Sequence, residues 1–280
     1  MPFQELFDET IDINSTENYE LFIQVSLEGI AFCILDSIRN KYILFRSFDT
    51  GSDNNLIALK LDELFRKDDF LSRKYKKIAI ITPTEKSTIV PAQLYDPAKK
   101  NDYFHFNHSI ENDSVLLVNK MTDPEAYIIF GIPKSIHEIT LNRYANITPI
   151  HHIKPLLSHV YHAGKGFRGD YVHLHIEKDF FSLLILNSNT LKFCNSFNYK
   201  TTNDILYYVL NTLKVCEISQ ETNIFLSGFV EKQDDLISIF SSYIKNLTFS
   251  HPSGNFTFSY IFNDSALRQY INLFNLPNCV

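Results

Sequence analysis

Residues 171–197 read YVHLHIEKDFFSLLILNSNTLKFCNSF, and this stretch decides the fold. Tyr171–Glu177, Phe180–Asn187 and Thr190–Phe197 are each rich in β-branched and aromatic residues. The polar breaks Lys178–Asp179 and Ser188–Asn189 read as turns, so three consecutive hairpin strands are predicted. Val172, Leu174 and Ile176 alternate with His173, His175 and Glu177, the period-two pattern of a strand half in a core and half toward solvent. Downstream, Thr201 with Asp204 makes an approximate capping box. Ile205, Leu206, Val209, Leu210 and Leu213 then align on one helical face. Asn223–Ser227 is a short apolar strand that runs into Ser227–Gly228. A second amphipathic helix pattern runs from Leu236 to Leu247, and Asn255–Phe262 alternates as a last strand. Asp264 is expected to cap a terminal helix reaching Phe274. The order β-β-β-α-β-α-β-α makes a mixed sheet with helices on its faces.

The same register occurs earlier in the chain. Ser47–Phe48–Asp49–Thr50 returns as Ser196–Phe197–Asn198–Tyr199, 149 residues later. Asn54 falls on Asn203, Leu61 on Leu210 and Leu64 on Leu213, so the helical stripe stays in phase. Ile30–Asp36 matches Phe181–Asn187 once the second hairpin turn is shortened by two residues. The first copy reads Leu21–Leu27, Ile30–Asp36 and Lys41–Phe48 as strands, then a helix near Leu56–Phe65 and the strand Ile78–Thr82. It then departs from the second. Ile89–Tyr95 precedes a helix opened by Asp96–Pro97 and running to Phe106. Strands Ser114–Val118 and Ala126–Gly131 follow, then a helix from Pro133 to Tyr144 and a linking helix over Pro155–Tyr161. Ala163–Gly169 holds three of the eight glycines and marks the boundary. The expected domains are therefore 1–162, with a divergent insertion, and 170–280. A repeat this long is a duplicated domain, since solenoid units span a few tens of residues.

At 280 residues the chain can bury two cores. A net charge of −6, with Arg73–Lys77 the nearest basic cluster, argues against nucleic acid, whose phosphates demand grouped cations. No apolar run approaches the roughly 20 residues of a membrane span, and the acidic start of the chain has no signal-peptide pattern. Cysteines 33, 194, 216 and 279 show no paired spacing and read as reduced, so a cytoplasmic protein is expected. With only eight glycines, phosphate-cradling loops are disfavoured. No catalytic Gly-x-Ser-x-Gly or P-loop pattern occurs, and Gly164–Lys165–Gly166 reads as a linker. His151, His152, His159, His162, His173 and His175 are read as solvent-facing residues of a linker helix and a strand. No cysteine or carboxylate spacing supports a metal site among them. Tyr103–Phe104–His105–Phe106 reads either as core packing or as a docking surface; docking requires Phe104 and Phe106 both exposed.

The element order, present twice, resembles the actin-like ATPase superfamily, whose halves are two ribonuclease H-like domains. The chain looks like an uncharacterised bacterial branch of that fold, similar to the pilus-assembly and cell-division actin homologues. The resemblance implies a phosphate-binding Asp-x-Gly turn in each first hairpin and a glycine pair after a later strand. Here the first turn is Ser26–Leu27–Glu28–Gly29, with Ser26 where the metal-facing Asp stands and Glu28 where the Gly stands. The second is His175–Ile176–Glu177–Lys178. In Ile224–Phe225–Leu226–Ser227–Gly228–Phe229, Phe229 replaces the second Gly. Carboxylates at both turns repel a phosphate instead of donating to it. The expectation is a non-catalytic pseudoenzyme of this fold, acting through protein–protein contacts, with no cofactor, metal, nucleic acid or membrane span. The alternative is an ATP-binding ATPase or switch, with Mg, whose site draws on Ser26, Glu28, Gly29, Glu177, Ser227 and Gly228.

Overall fold

A computed structural model describes every residue except Met1, Glu28, Ser52, Ile110 and Arg168. The chain divides into two compact units. The first comprises Met1–Pro155, Gly254–Phe262 and Leu276–Val280; the second comprises Leu156–Ser253 and Asn263–Asn275.

The first unit opens with β1 (Gln4–Phe7), β2 (Tyr19–Ser26), β3 (Gly29–Asp36) and β4 (Lys41–Phe48), followed by α1 (Asn54–Lys67) and β5 (Lys77–Thr82). Leu21, Ile23 and Val25 of β2 point into one core with Ile57, Leu61 and Leu64 of α1, so the predicted stripe faces the predicted strands. The divergent region forms β6 (Ser87–Pro91), α2 (Lys100–Asn107), β7 (Ser114–Met121), β8 (Ala126–Pro133), α3 (Lys134–Arg143) and β9 (Ile150–His151). Strands β6, β8 and β7 make a separate three-stranded sheet. Asp96 caps a 3-10 turn at Pro97–Lys99, its side chain accepting from the Ala98 N–H at 3.0 Å, and α2 starts only after it. The aromatic segment on α2 splits: Phe104 is 2% exposed and packs beneath β6–β8, whereas Phe106 is 89% exposed.

The second unit contains most of α4 (Ile153–Ala163), then β10 (Asp170–Ile176), β11 (Phe180–Asn187), β12 (Thr190–Asn198), α5 (Thr202–Val215), β13 (Ile224–Gly228), α6 (Asp235–Ser241) and β14 (Leu247–Phe249). Strands β10, β11 and β12 pair antiparallel as predicted. Ser188 and Asn189 both have positive φ in the two-residue turn, as a tight hairpin requires. Thr201 and Asp204 form a full capping box. Later in the chain come β15 (Thr257–Phe258), α7 (Asp264–Gln269) and α8 (Ile271–Phe274).

Three expectations change here. The helix predicted to Leu247 stops at Ser241, because Leu247 and Phe249 instead form β14 beside β13 and pack on the core. The last strand of the second sheet is thus β14. The alternating Asn255–Phe262 segment belongs to the first sheet, where Phe256, Phe258 and Phe262 surround the Tyr42 ring at 5.2, 5.1 and 6.5 Å. Asn263, not Asp264, caps α7, accepting from the Ala266 N–H at 2.8 Å.

The sheet orders are β1-β4-β3-β2-β5-β9, with β15 also on β4, and β12-β11-β10-β13-β14. The outer edge of β4 is covered end to end: β15 pairs Lys41–Tyr42 and β1 pairs Leu44–Ser47. Asp8, just after β1, accepts from Ser259 at 2.5 Å and Lys41 at 2.9 Å, clamping the two covers together. Burial alone raises the Asp8 carboxyl, but these bonds and those of Thr10 outweigh it and hold it well below the usual carboxylate range.

Candidate functional site

The site grows from the polar side of β10. His173, His175 and Glu177 alternate with core residues, yet they are 0%, 0% and 1% exposed. The sequence expectation of solvent-facing histidines fails for them and for His151, His152 and His159, all buried; of the six, His162 is the exposed one. For β10 the reason is tertiary, since Ser227 of β13 and Asn272 of α8 meet its polar side chains; His151, in the first unit, instead packs on Phe130 with Nε2 3.0 Å from the Thr84 carbonyl oxygen.

In the parallel pair β10–β13, His175 lies opposite Ser227. The Ser227 hydroxyl is 2.8 Å from His173 Nε2 and 2.8 Å from His175 Nδ1. His175 Nε2 is 2.9 Å from Glu177 Oε1. One proton order satisfies this chain. Glu177 accepts from His175 Nε2–H, His175 Nδ1 accepts from the Ser227 hydroxyl, and Ser227 Oγ accepts from His173 Nε2–H. The Asn272 amide lies 2.8 Å from the same His175 Nε2. With that N–H given to Glu177, the contact falls to the amide oxygen, reached by a half-turn of the amide. His159 on α4 is held by Ser250 at 2.9 Å and Ser253 at 3.0 Å, and its ring stands edge-on to His173 with centroids 5.5 Å apart.

Burial keeps these imidazoles neutral. It pushes His175 down to about 3, with His159 adding repulsion, and His159 down to about 4, with His162 adding repulsion. His173 is driven well below its ordinary value by burial and its two histidine neighbours.

Serine, histidine and glutamate in line match the nucleophile, base and orienter of acyl-transfer enzymes. Two observations separate this arrangement from such a centre. Ser227 is 0% exposed, and its oxygen already serves a second imidazole, so no substrate carbon reaches it. The strands also meet too closely for a substrate. Gly228 has φ +91°, and a Cβ there would fall 2.0 Å from the Ile176 carbonyl oxygen. The second unit does carry an open cleft of about 380 Å³, lined among others by His159, Phe167, Tyr171, Phe225, Phe249 and His251. Tyr171 and Phe225 stack at 4.3 Å. None of Ser227, His175 or Glu177 lines it.

The six candidate nucleotide residues fall in two places. Glu177, Ser227 and Gly228 come together at the ends of β10 and β13. Ser26 and Gly29 close the β2–β3 hairpin, with Ser26 Oγ 3.4 Å from the Gly29 carbonyl; Glu28 lies outside the described residues. Gly29 has φ +132°, with a Cβ position 2.1 Å from the Phe48 carbonyl oxygen. Among the described residues, no group of three or more His, Cys, Asp or Glu side chains could hold a metal ion. No helix among them is long and apolar enough to cross a membrane. Sequence reasoning missed Asn272, Ser250 and Ser253. Asn272 was visible as a lone amide between Ile271 and Leu273, but nothing local ties it to a histidine 97 residues away.

A mixed first sheet of hairpin strands plus αβ crossings, and a second sheet built the same way, define an actin-like ATPase fold of two ribonuclease H-like domains related by internal duplication. The chain belongs to the family described as "Protein of unknown function (DUF3822)", whose model matches residues 8–247. It is similar in structure to a Bacteroides thetaiotaomicron protein with actin-like ATPase fold and unknown function. That likeness has a TM-score of 0.77 at 24% identity and covers 86% of this chain and 94% of the other. It is also similar to a chain of the PilM–PilN type IV pilus biogenesis complex, with a TM-score of 0.61 at 11% identity, covering 93% of this chain and 98% of that one. No curated protein matches the sequence.

Proposed function

We propose that this chain is a non-catalytic bacterial cytoplasmic protein of the actin-like fold, working through protein–protein contacts, with its sequence repeats at 1–162 and 170–280 and the late segments Gly254–Phe262 and Leu276–Val280 folding with the first unit. The observation that carries this reading is Ser227. At the strand end where the fold's third nucleotide signature falls, its hydroxyl is held between two buried imidazoles at 2.8 Å each. A phosphate needs donors free to turn toward it; here they are committed to the protein. Glu177, beside it, is likewise committed to His175. The similarity to PilM, whose structure was determined in complex with PilN, supports a role in binding proteins. The four free cysteines suit a reducing compartment.

The test is a thermal melt of the whole chain with millimolar Mg-ATP. A ligand at about a hundredfold excess over Kd adds about 2.7 kcal/mol to the folded state, which moves Tm by several degrees. The expected result is no shift. A magnesium-dependent shift overturns the reading and favours the ATP-binding switch.

A further inference from the structure

The duplicated fold has one edge treated in opposite ways. In the first unit β4 is covered by β1 and β15 along its length. In the second unit the matching strand β12 ends its sheet, and no strand pairs its outer edge among the described residues. The two edges are built alike. Each has one residue slipped out of register against its inner neighbour, Ile43 in β4 and Lys192 in β12, and these are 149 positions apart. Past that bulge, β1 pairs Leu44–Ser47 in the first unit, which the repeat maps onto Phe193–Ser196. At matching positions the covered strand is the more buried: Leu44 and Phe48 are 0% and 6% exposed, whereas their counterparts Phe193 and Phe197 are half-buried, and Asn195 between them is exposed.

A free, proline-free edge invites another strand. The geometry points to a second copy of this chain as the occupant, with β12 pairing antiparallel to its counterpart about a two-fold axis at Asn195. A two-fold axis normal to the sheet keeps each face on its own side, so opposed residues share parity and one residue faces itself. Centring on Asn195 uses only the regular stretch past the bulge. It sets Phe193 opposite Phe197 twice, on the face where Phe197 already stacks on Tyr208 at 4.9 Å, and Cys194 opposite Ser196. Aromatic pairs across strands are among the favourable ones. Residues 193–197 carry no charge, so two copies of a chain of net charge −6 meet along a strip free of like-charge opposition.

This proposal rests on the reading that the chain works through protein contacts. Its test is sedimentation velocity of the full chain, with hydrogen exchange followed across concentration. A dimer is expected, with those alternate amides of 193–197 that point away from β11 slowing as concentration rises. Asn195 is exposed, so Asn195→Lys and Asn195→Glu should fold normally. Each places a like charge opposite itself and should weaken the dimer about tenfold or more. Mixed in equal amounts, the two should form a heterodimer of near wild-type affinity. Three results overturn the proposal: a chain still monomeric at about 100 μM, far above the Kd of a specific interface; a dimer indifferent to both substitutions; or a dimer in which amides of β4 lose protection, which signals exchange of β1. A monomeric chain leaves the nucleotide test untouched, and a nucleotide-induced shift leaves the edge result untouched.

Discussion

Strands β2 and β10 are the same strand of a duplicated domain, and they differ on one face only. Each sends a row of aliphatic side chains into its core: Leu21, Ile23 and Val25 in one, Val172, Leu174 and Ile176 in the other. By the hairpin registers, Phe22, Gln24 and Ser26 of β2 correspond to His173, His175 and Glu177 of β10. The partner strands differ in step: Gln24 faces Ile81 on β5, and His175 faces Ser227 on β13. The fold thus needs the apolar face and leaves the other to be filled by any groups that satisfy one another. In the second half it is filled with a hydrogen-bonded chain, which costs little when complete and much when one member is removed or charged.

The largest expected effect tests the backbone approach that lets this chain close. Gly228→Ala should destabilise the protein by on the order of 4 kcal/mol, because φ is positive and the new Cβ meets a backbone carbonyl that cannot move aside. Gly51→Ala, also at positive φ but with open space around it, should cost only about 1 kcal/mol. Urea midpoints of the two variants make the comparison, and equal midpoints would refute it.

A middle-sized effect concerns pH. Imidazoles whose folded pKa is lowered bind fewer protons when folded than when unfolded, so their contribution is intact above about pH 6.5 and is lost as pH falls toward the folded values. For His159 and His175 those values are about 4 and about 3. At pH 5 each buried imidazole should cost about 2 kcal/mol. His173→Phe restores the residue type of the first half and removes one of these groups. Its stability should therefore fall less steeply than that of wild type between pH 7 and 5. Parallel slopes in urea titrations at the two pH values would show that the histidines do not set the acid sensitivity.

The smallest effect lies at the covered edge. Glu5 of β1 pairs with Arg46 of β4, but its carboxylate is about one-third exposed. Glu5→Ala should cost about 0.5 kcal/mol in a thermal or urea melt. A loss several times larger would mean that the ion pair, rather than the strand ladder and the buried Asp8 clamp, holds the cover on β4.

Much of the fold was legible in the chain. Short-range physics produced the three hairpin strands of each half, the capping box at Thr201 and the in-phase stripes of α1 and α5, because strand alternation, turn residues and helix caps act over a few residues. The tight turn of the first hairpin could be read the same way, whereas the turn of the second lies at Glu177–Asp179, after β10, and not at His175–Lys178. The misreadings had one source. Leu247 and Phe249 fit a helical stripe or a strand equally well, and pairing with β13 chose the strand. Asn255–Phe262 alternates like any strand, and the Tyr42 ring drew it to the first sheet. The polar face of β10 carried every mark of a solvent face; only the arrival of Ser227 and Asn272 from distant segments made it an interior. What the sequence determined alone was the repeat, its period and its apolar faces. Burial, proton order and which sheet edge stays open were decided by the tertiary structure, because each depends on groups the chain brings together only after it has folded.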